Sequence, residues 1–335
     1  MSKKLFIILF LLFIIFVIIS YFIYENSKIN IPVDGTSQSN IPYLFNNIVP
    51  NGFSKVELPD ASWELDEYGR PKGWNNGLVV EDSNGNQFVW VPCSINSSDL
   101  TTYGRYTYST DDFYLSNDEL LVSDIGDLFV DNDTVNLVIK QSVEKYGGFY
   151  IGRYETGIEN GNLLNKKTRD NTELNWTGWS NGNLAIKQNL QVWNYITLDK
   201  AIELSNSFID NETVASSILT SYCYDTTLKW ISSTNNSFWT NMYEYGNFNN
   251  RDKDGLANTG TSSNTKLNNI YDLVGNVCEW STEKCIDDVA IQTNLTAVIK
   301  GGHWHTHSSA IYSRVPTFPY YAKDTIGFRI ILYLK

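Results

Sequence analysis

The chain is short of several residue types at once. Methionine occurs twice in 335 residues, histidine three times and cysteine four times. The cysteines are Cys93, Cys223, Cys278 and Cys285, and none are spaced as CxxC. That spacing excludes a zinc knuckle or a thioredoxin-type redox motif. The even count admits disulfides as readily as buried free thiols. Basic residues are also scarce, 25 against 37 acidic ones, for a net charge of -12. So acidic a chain repels phosphate backbones, which argues against nucleic-acid binding through a basic face. Rings are abundant by contrast: Trp 10, Tyr 21 and Phe 16, within a hydrophobic share of 42%. This is enough for a packed core, and rings suit strands and binding surfaces better than a helical bundle.

The N-terminus carries an uncharged apolar run from Leu5 to Ile23, behind Lys3 and Lys4. About 20 such residues cross the hydrocarbon core as a helix, and the lysines favour a cytoplasmic tip at 1–4. A cleaved signal peptide is the rival reading. It fits less well, because its apolar region is usually ~7–15 residues long and ends at a small-residue site, whereas Tyr21-Phe22-Ile23-Tyr24-Glu25 follows here. The expectation is a single-pass anchor at 5–23, a polar stalk at 24–52 containing Pro32, Gly35 and Pro50, and an extracellular domain at 53–335.

Within that domain, Gly77–Glu81 and Asn86–Val91 around Asp82-Ser-Asn-Gly85 read as a β-hairpin. Residues 94–135 are polar and Asp-rich, with apolar residues at Leu120–Val122, and read as an elaborated loop. Gly148–Glu155 alternates, which predicts a strand with Phe149, Ile151, Arg153 and Glu155 on one face. Thr197 is placed to cap a helix over 198–208, and a second helix is predicted from about Asp225 to Ile231. Residues 233–268 read as irregular loop. Short strands are predicted at Ala297–Lys300 and Gly327–Leu334. The expected class is α+β with few helices and much loop, and loops this long commonly carry function.

Three segments together resemble the formylglycine-generating enzymes, or sulfatase-modifying factors. They are Gly148-Phe-Tyr-Ile-Gly-Arg-Tyr-Glu-Thr156, Ile270-Tyr-Asp-Leu-Val-Gly-Asn-Val-Cys-Glu-Trp280, and Val298-Ile-Lys-Gly-Gly-His-Trp304 closed by Ile326-Gly-Phe-Arg329. The resemblance is best over 145–335. It implies a fold similar to C-type lectins, with short twisted sheets, two main helices and much irregular loop stabilised by calcium. The positions matching the family's calcium ligands are Asp272, Gly275, Val277 and Glu279. Calcium takes six to eight hard oxygens, and carboxylates plus carbonyls of one tight turn supply several. The alternative is a purely structural turn in which Asp272 caps backbone and Glu279 pairs with an arginine. A second family calcium site would fall near Asn247, Phe248 and Asp252 or Asp254, with departed spacing.

The catalytic positions depart further. The family's oxidases use a pair of copper-binding cysteines after the Gly-Gly strand, and the matching residues here are Thr306 and Ile311. Neither is a thiolate, so formylglycine formation is not expected. All three histidines lie in His303-Trp304-His305-Thr306-His307. On a strand their rings would share a face and could hold zinc or copper and activate water. Alternatively they line a recognition surface, His303, Trp304, His305, His307, Tyr312, Tyr320 and Tyr321, whose rings and small polar neighbours suit binding. The same scaffold serves hypervariable receptors of phages and bacteria, an analogy of fold and position. The leading expectation is an extracellular binding module for a protein or glycan. An enzyme with altered, His-metal chemistry and a purely structural surface protein are the alternatives.

Overall fold

The chain divides into two compact units, 1–41 and 42–335. The computed structural model describes residues 45, 47–97, 99–106, 128–164, 180–235, 237–238, 241–248, 255–306, 312 and 314–335. The predicted anchor at 5–23 lies outside the described residues, as do Leu120–Val122, Asp252, Asp254, His307 and Ile311. Among the described residues no helix is long and apolar enough to cross a membrane.

The second unit is a mixed α and β structure built on short sheets. Among the described residues its main sheet has seven strands. Six run in the order Phe53–Val56, Val79–Asp82, Gln87–Ser94, Gly148–Gly152, Ile330–Leu334 and Val214–Ile218, all antiparallel. Thr101–Thr102 adds in parallel to Gln87–Ser94. The predicted hairpin is therefore present, with Val79 opposite Val89. Strand alternation divides the core in two. Phe88, Trp90, Tyr150, Ile330 and Leu332 belong to one apolar cluster, and Val89, Val91, Phe149, Ile151 and Ile331 to the other. The predicted face of Phe149 and Ile151 holds, but the strand ends at Gly152, so Arg153 and Glu155 leave the sheet.

A second sheet is ordered Val315–Thr317, Ala297–Lys300, Cys278–Cys285 and Ile326–Gly327, with Phe129–Val130 pairing Cys278–Cys285. A three-stranded sheet is formed by Asn183–Ala185, Gly157–Glu159 and Gln191–Val192. The described residues within 233–268 are mainly irregular, with short 3-10 turns at Met242–Tyr245 and Ser263–Thr265.

The expectation of two main helices needs correction. Three helices of nine or more residues are described, Asp133–Tyr146, Leu198–Asn206 and Ser221–Thr234, besides the short Asp288–Thr293. The Asp133–Tyr146 helix begins in the stretch read as loop. Its buried stripe is Asn136, Ile139, Ser142 and Val143, so half of the inward positions are polar and the apolar period is faint. Asn132 caps it through Val135 N, and Gly147 ends it at φ 78. The Ser221–Thr234 helix starts four residues earlier than predicted, because Thr220 accepts a hydrogen bond from Cys223 N at 3.1 Å. Thr197 stands at its predicted cap position without a side-chain capping bond.

Candidate functional site

The turn that begins at Asp272 leaves the short Ile270–Tyr271 strand and enters Cys278–Cys285, where Glu279 lies, through left-handed backbone. Asp272, Gly275 and Asn276 have φ of 53, 80 and 57, conformations that Asp, Gly and Asn adopt at least cost. A side chain at Gly275 would also meet the backbone of Asn247 at 2.7 Å. Arg329 threads this turn. Its Nε donates to Glu279 Oε1 at 2.7 Å, and its terminal nitrogens donate to the carbonyls of Gly152, Tyr271 and Asp272 at 2.8, 3.0 and 3.0 Å. Asp272 Oδ2 accepts from Gly260 N at 2.6 Å. Both features of the purely structural turn are thus present.

Glu155, which the sequence reading left without a role, is fully buried beside them. It accepts from Asn276 Nδ2 at 2.6 Å and from Val277 N at 3.2 Å. Burial, reinforced by the Asp272 charge, pushes its carboxyl well above the usual range. Burial likewise lifts Glu279 to about 7, against the opposing pull of Arg329. Among the described residues, two buried side-chain oxygens of this region lack a partner, Glu279 Oε2 and Asn247 Oδ1. Asn247 pairs with Gly275 in an isolated bridge, and its carbonyl accepts from Asn276 N at 3.0 Å, which joins the two predicted calcium positions. Phe248 is fully buried in the core and Val277 is buried.

These residues fit calcium on chemistry. Orphaned hard oxygens and the buried carboxyls of Glu155, Asp272 and Glu279 near one another are what a divalent cation neutralises. Among the described residues no three His, Cys, Asp or Glu side chains form a metal-holding group, so backbone carbonyls and Asn oxygens would have to complete the shell.

The His tract does not continue the strand. Ala297–Lys300 ends at Gly301 and Gly302, whose φ of 93 and 69 turn the chain away. Residues 303–306 then close a turn, with Thr306 N donating to His303 O at 2.8 Å and Thr306 Oγ1 to the same carbonyl at 2.8 Å. The predicted alternation of imidazoles is therefore lost. His303 Nδ1 instead accepts from His305 N at 3.2 Å, and burial, with His305 adjacent, holds its pKa down to about 4. The rings of His303 and His305 stand 6.3 Å apart at 81°.

His305 is exposed, and His303, Trp304, Tyr312, Tyr320 and Tyr321 are half-buried. Trp304 packs against His305, with ring centroids 3.3 Å apart, and against Gly255. Tyr320 and Tyr321 form an aromatic group with Phe318, at 5.2 and 4.7 Å, and Lys323 Nζ lies 4.2 Å above the Tyr321 ring. Tyr321 and Tyr312 rest on different apolar clusters, so Tyr312 stands apart.

Beneath this loop runs a buried ionic network that sequence reading missed. Lys300 Nζ meets Asp225 Oδ1 at 2.8 Å and Glu283 Oε2 at 3.7 Å. Arg314 Nε meets Glu283 Oε1 at 2.9 Å, and Arg314 also pairs with Asp225 and Arg105 with Glu283. Burial alone would raise Glu283, but Lys300, Arg314 and Arg105 hold it down to about 2. All four cysteines are buried and free. Burial pushes the Cys223 thiol up to about 12 and raises Cys93 and Cys278.

Residues 213–334 match the family model described as "Sulfatase-modifying factor enzyme 1-like domain". The C-terminal part of the chain is sulfatase-modifying-factor-like. The matched span contains the Ile270–Trp280, Val298–Trp304 and Ile326–Arg329 motifs and, with them, the turn and Asp225, Glu283, Lys300 and Arg314 of the ionic network, while Arg105 and the Gly148–Thr156 motif lie outside it. A crystal structure of CarF is similar at 13% identity and a TM-score of 0.35, covering 70% of this chain and 100% of that one. No curated protein matches the chain.

Proposed function

We propose that the chain is a membrane-anchored, calcium-stabilised ligand-binding module on a C-type-lectin-like scaffold, with the loop after Gly302 as its recognition surface. The observation that carries this reading is at Thr306. The position that matches a catalytic cysteine holds a hydroxyl, and that hydroxyl is spent on closing the His303–Thr306 turn. The family's oxidation requires accessible thiolates. The cysteines of this chain are buried, and burial raises the thiol pKa of Cys93, Cys223 and Cys278. Beside Thr306, exposed His305 and half-buried Trp304 offer an amphipathic ring surface of the kind used in recognition.

Calcium stabilises the scaffold in this reading through Asp272, Gly275, Val277 and Glu279, with Asn247 adjoining. An extracellular protein or glycan is the partner. The His-metal alternative is weaker, since His303 Nδ1 is engaged by His305 N. Two assays test the reading together. Incubation with a cysteine-containing sulfatase peptide, copper and reductant should yield no aldehyde by mass spectrometry. An array of glycans and extracellular proteins should show capture by the chain that His305→Ala weakens. Aldehyde above background, or capture indifferent to the loop variant, contradicts it.

A further inference from the structure

The residues that follow the Ala297–Lys300 strand are fastened to the Asp272–Glu279 turn by their backbone. Gly275 N donates to Gly301 O at 2.8 Å, Gly302 N to the Cys278 sulfur, and Trp304 N to Asn276 O at 3.0 Å. Asn276 is the hub of these ties. It is fully buried, and its Nδ2 donates to Glu155 Oε2 at 2.6 Å and to Ala257 O at 3.2 Å. Its Oδ1 accepts from Ala257 N at 2.9 Å and Asn247 Nδ2 at 3.2 Å.

A second tie reaches Trp304 from the other side. A Cβ added at Gly255 would come within 2.8 Å of the Trp304 ring, so the indole lies directly on that backbone. The Gly255 carbonyl in turn accepts from Asn247 Nδ2 at 2.8 Å. Trp304 is thus seated between Asn276, which lies inside the acidic turn, and a strand of chain carried by Asn247. Among the described residues, Asn247 Oδ1 and Glu279 Oε2 are the two buried side-chain oxygens there without a partner.

The geometry points to a cation-set recognition loop: divalent-cation occupancy of the Asp272–Glu279 turn fixes the seat of Trp304, with Asn276 as the positioning residue that couples the two. This rests on the calcium reading above and adds regulation of the same surface. The physical cause is linkage. A cation that binds only the closed turn raises the cost of opening it, and the loop cannot leave its place while Gly275 N, Cys278 Sγ and Asn276 O hold it. Without the cation, the buried carboxyls of Glu155, Asp272 and Glu279 repel one another, and the turn opens more often.

Hydrogen–deuterium exchange on the full chain, in calcium and in chelator, tests this alongside a calorimetric calcium titration. Calcium is expected to bind and to slow exchange at Gly302, Trp304 and Thr306 by about tenfold. Binding with unchanged loop exchange overturns the coupling and leaves the calcium reading standing. No binding at all defeats the calcium reading and the coupling with it. Asn276→Gly tolerates the φ of 57, keeps the backbone bond from Trp304 N and removes the side-chain bonds to Glu155, Ala257 and Asn247. At saturating calcium the slowing at Trp304 should be smaller than in wild type, because the Asn247 and Ala257 side of the seat is released while the backbone tie remains. Slowing equal to wild type in that variant overturns the role of the Asn276 side chain.

Discussion

Lys300 and Arg314 stand at the two feet of the loop that carries the histidines, and both side chains end on Asp225. Glu283 joins the same two cations, so the loop's ends are drawn onto one buried pair of carboxylates. Removing one partner of such a network leaves a buried charge uncompensated, which costs about 3–5 kcal/mol. Lys300→Met and Glu283→Gln should each lower stability by that order at neutral pH, measured by denaturant unfolding. Glu283 titrates near 2 in the fold and near 4.5 when unfolded. Its contribution is therefore complete above pH 4.5 and lost as pH falls toward 2, so the deficit of Glu283→Gln should shrink over that window.

Glu279 has the opposite sign. Its folded pKa of about 7 lies above the unfolded 4.5, so between those values the folded state holds the extra proton. Stability from this group falls as pH rises from 4.5 to 7. In chelator, Glu279→Gln should therefore gain on wild type across that range, by roughly 1–3 kcal/mol at pH 7. In calcium the order should reverse, because the ionised carboxylate is then a ligand. Thermal melts of both proteins in both buffers decide it, and an ordering unmoved by calcium contradicts the site.

Much of the scaffold was legible in the sequence, because it rests on local rules. Alternation marked the hairpin ending at Val91 and the pair Phe149 and Ile151. The Asp133–Tyr146 helix was obscured by Asn136 and Ser142 on its buried stripe. The roles of Glu155 and Lys300 were unreadable for another reason. Glu155 meets Asn276 across 121 positions, and Lys300 meets Asp225 across 75. No local period encodes such contacts. The expected row of imidazoles failed because Gly301 and Gly302 at positive φ redirect the chain before the first histidine.

Trp304 is half-buried on Gly255, so its truncation should cost less than the ~3–5 kcal/mol of a core tryptophan. About 1–2 kcal/mol is expected for Trp304→Ala, and within ~0.5 kcal/mol for exposed His305→Ala. Gly255→Ala should cost more than Trp304→Ala, since its methyl meets both the ring and a φ of 82. Melting curves of the three variants check the order. Collapse of the fold in Trp304→Ala would make that ring core.

The four thiols should be silent to maleimide in the native state and all react after denaturation, counted by mass spectrometry. A native label, or fewer than four after denaturation without reductant, contradicts buried free cysteines.

Protease added to intact cells should release the domain from the surface if Leu5–Ile23 anchors the chain. A protected domain, or one found only in the medium, contradicts the anchor.

The most direct measurement is the metal content of the purified full chain, by elemental analysis before and after chelator. Bound calcium, removed by chelator with a clear fall in melting temperature, is the expected result. A ligand at 100-fold over its Kd adds roughly 2.7 kcal/mol. Stoichiometric copper or zinc in place of calcium would contradict the binding-module reading and return the chain to metal-dependent catalysis.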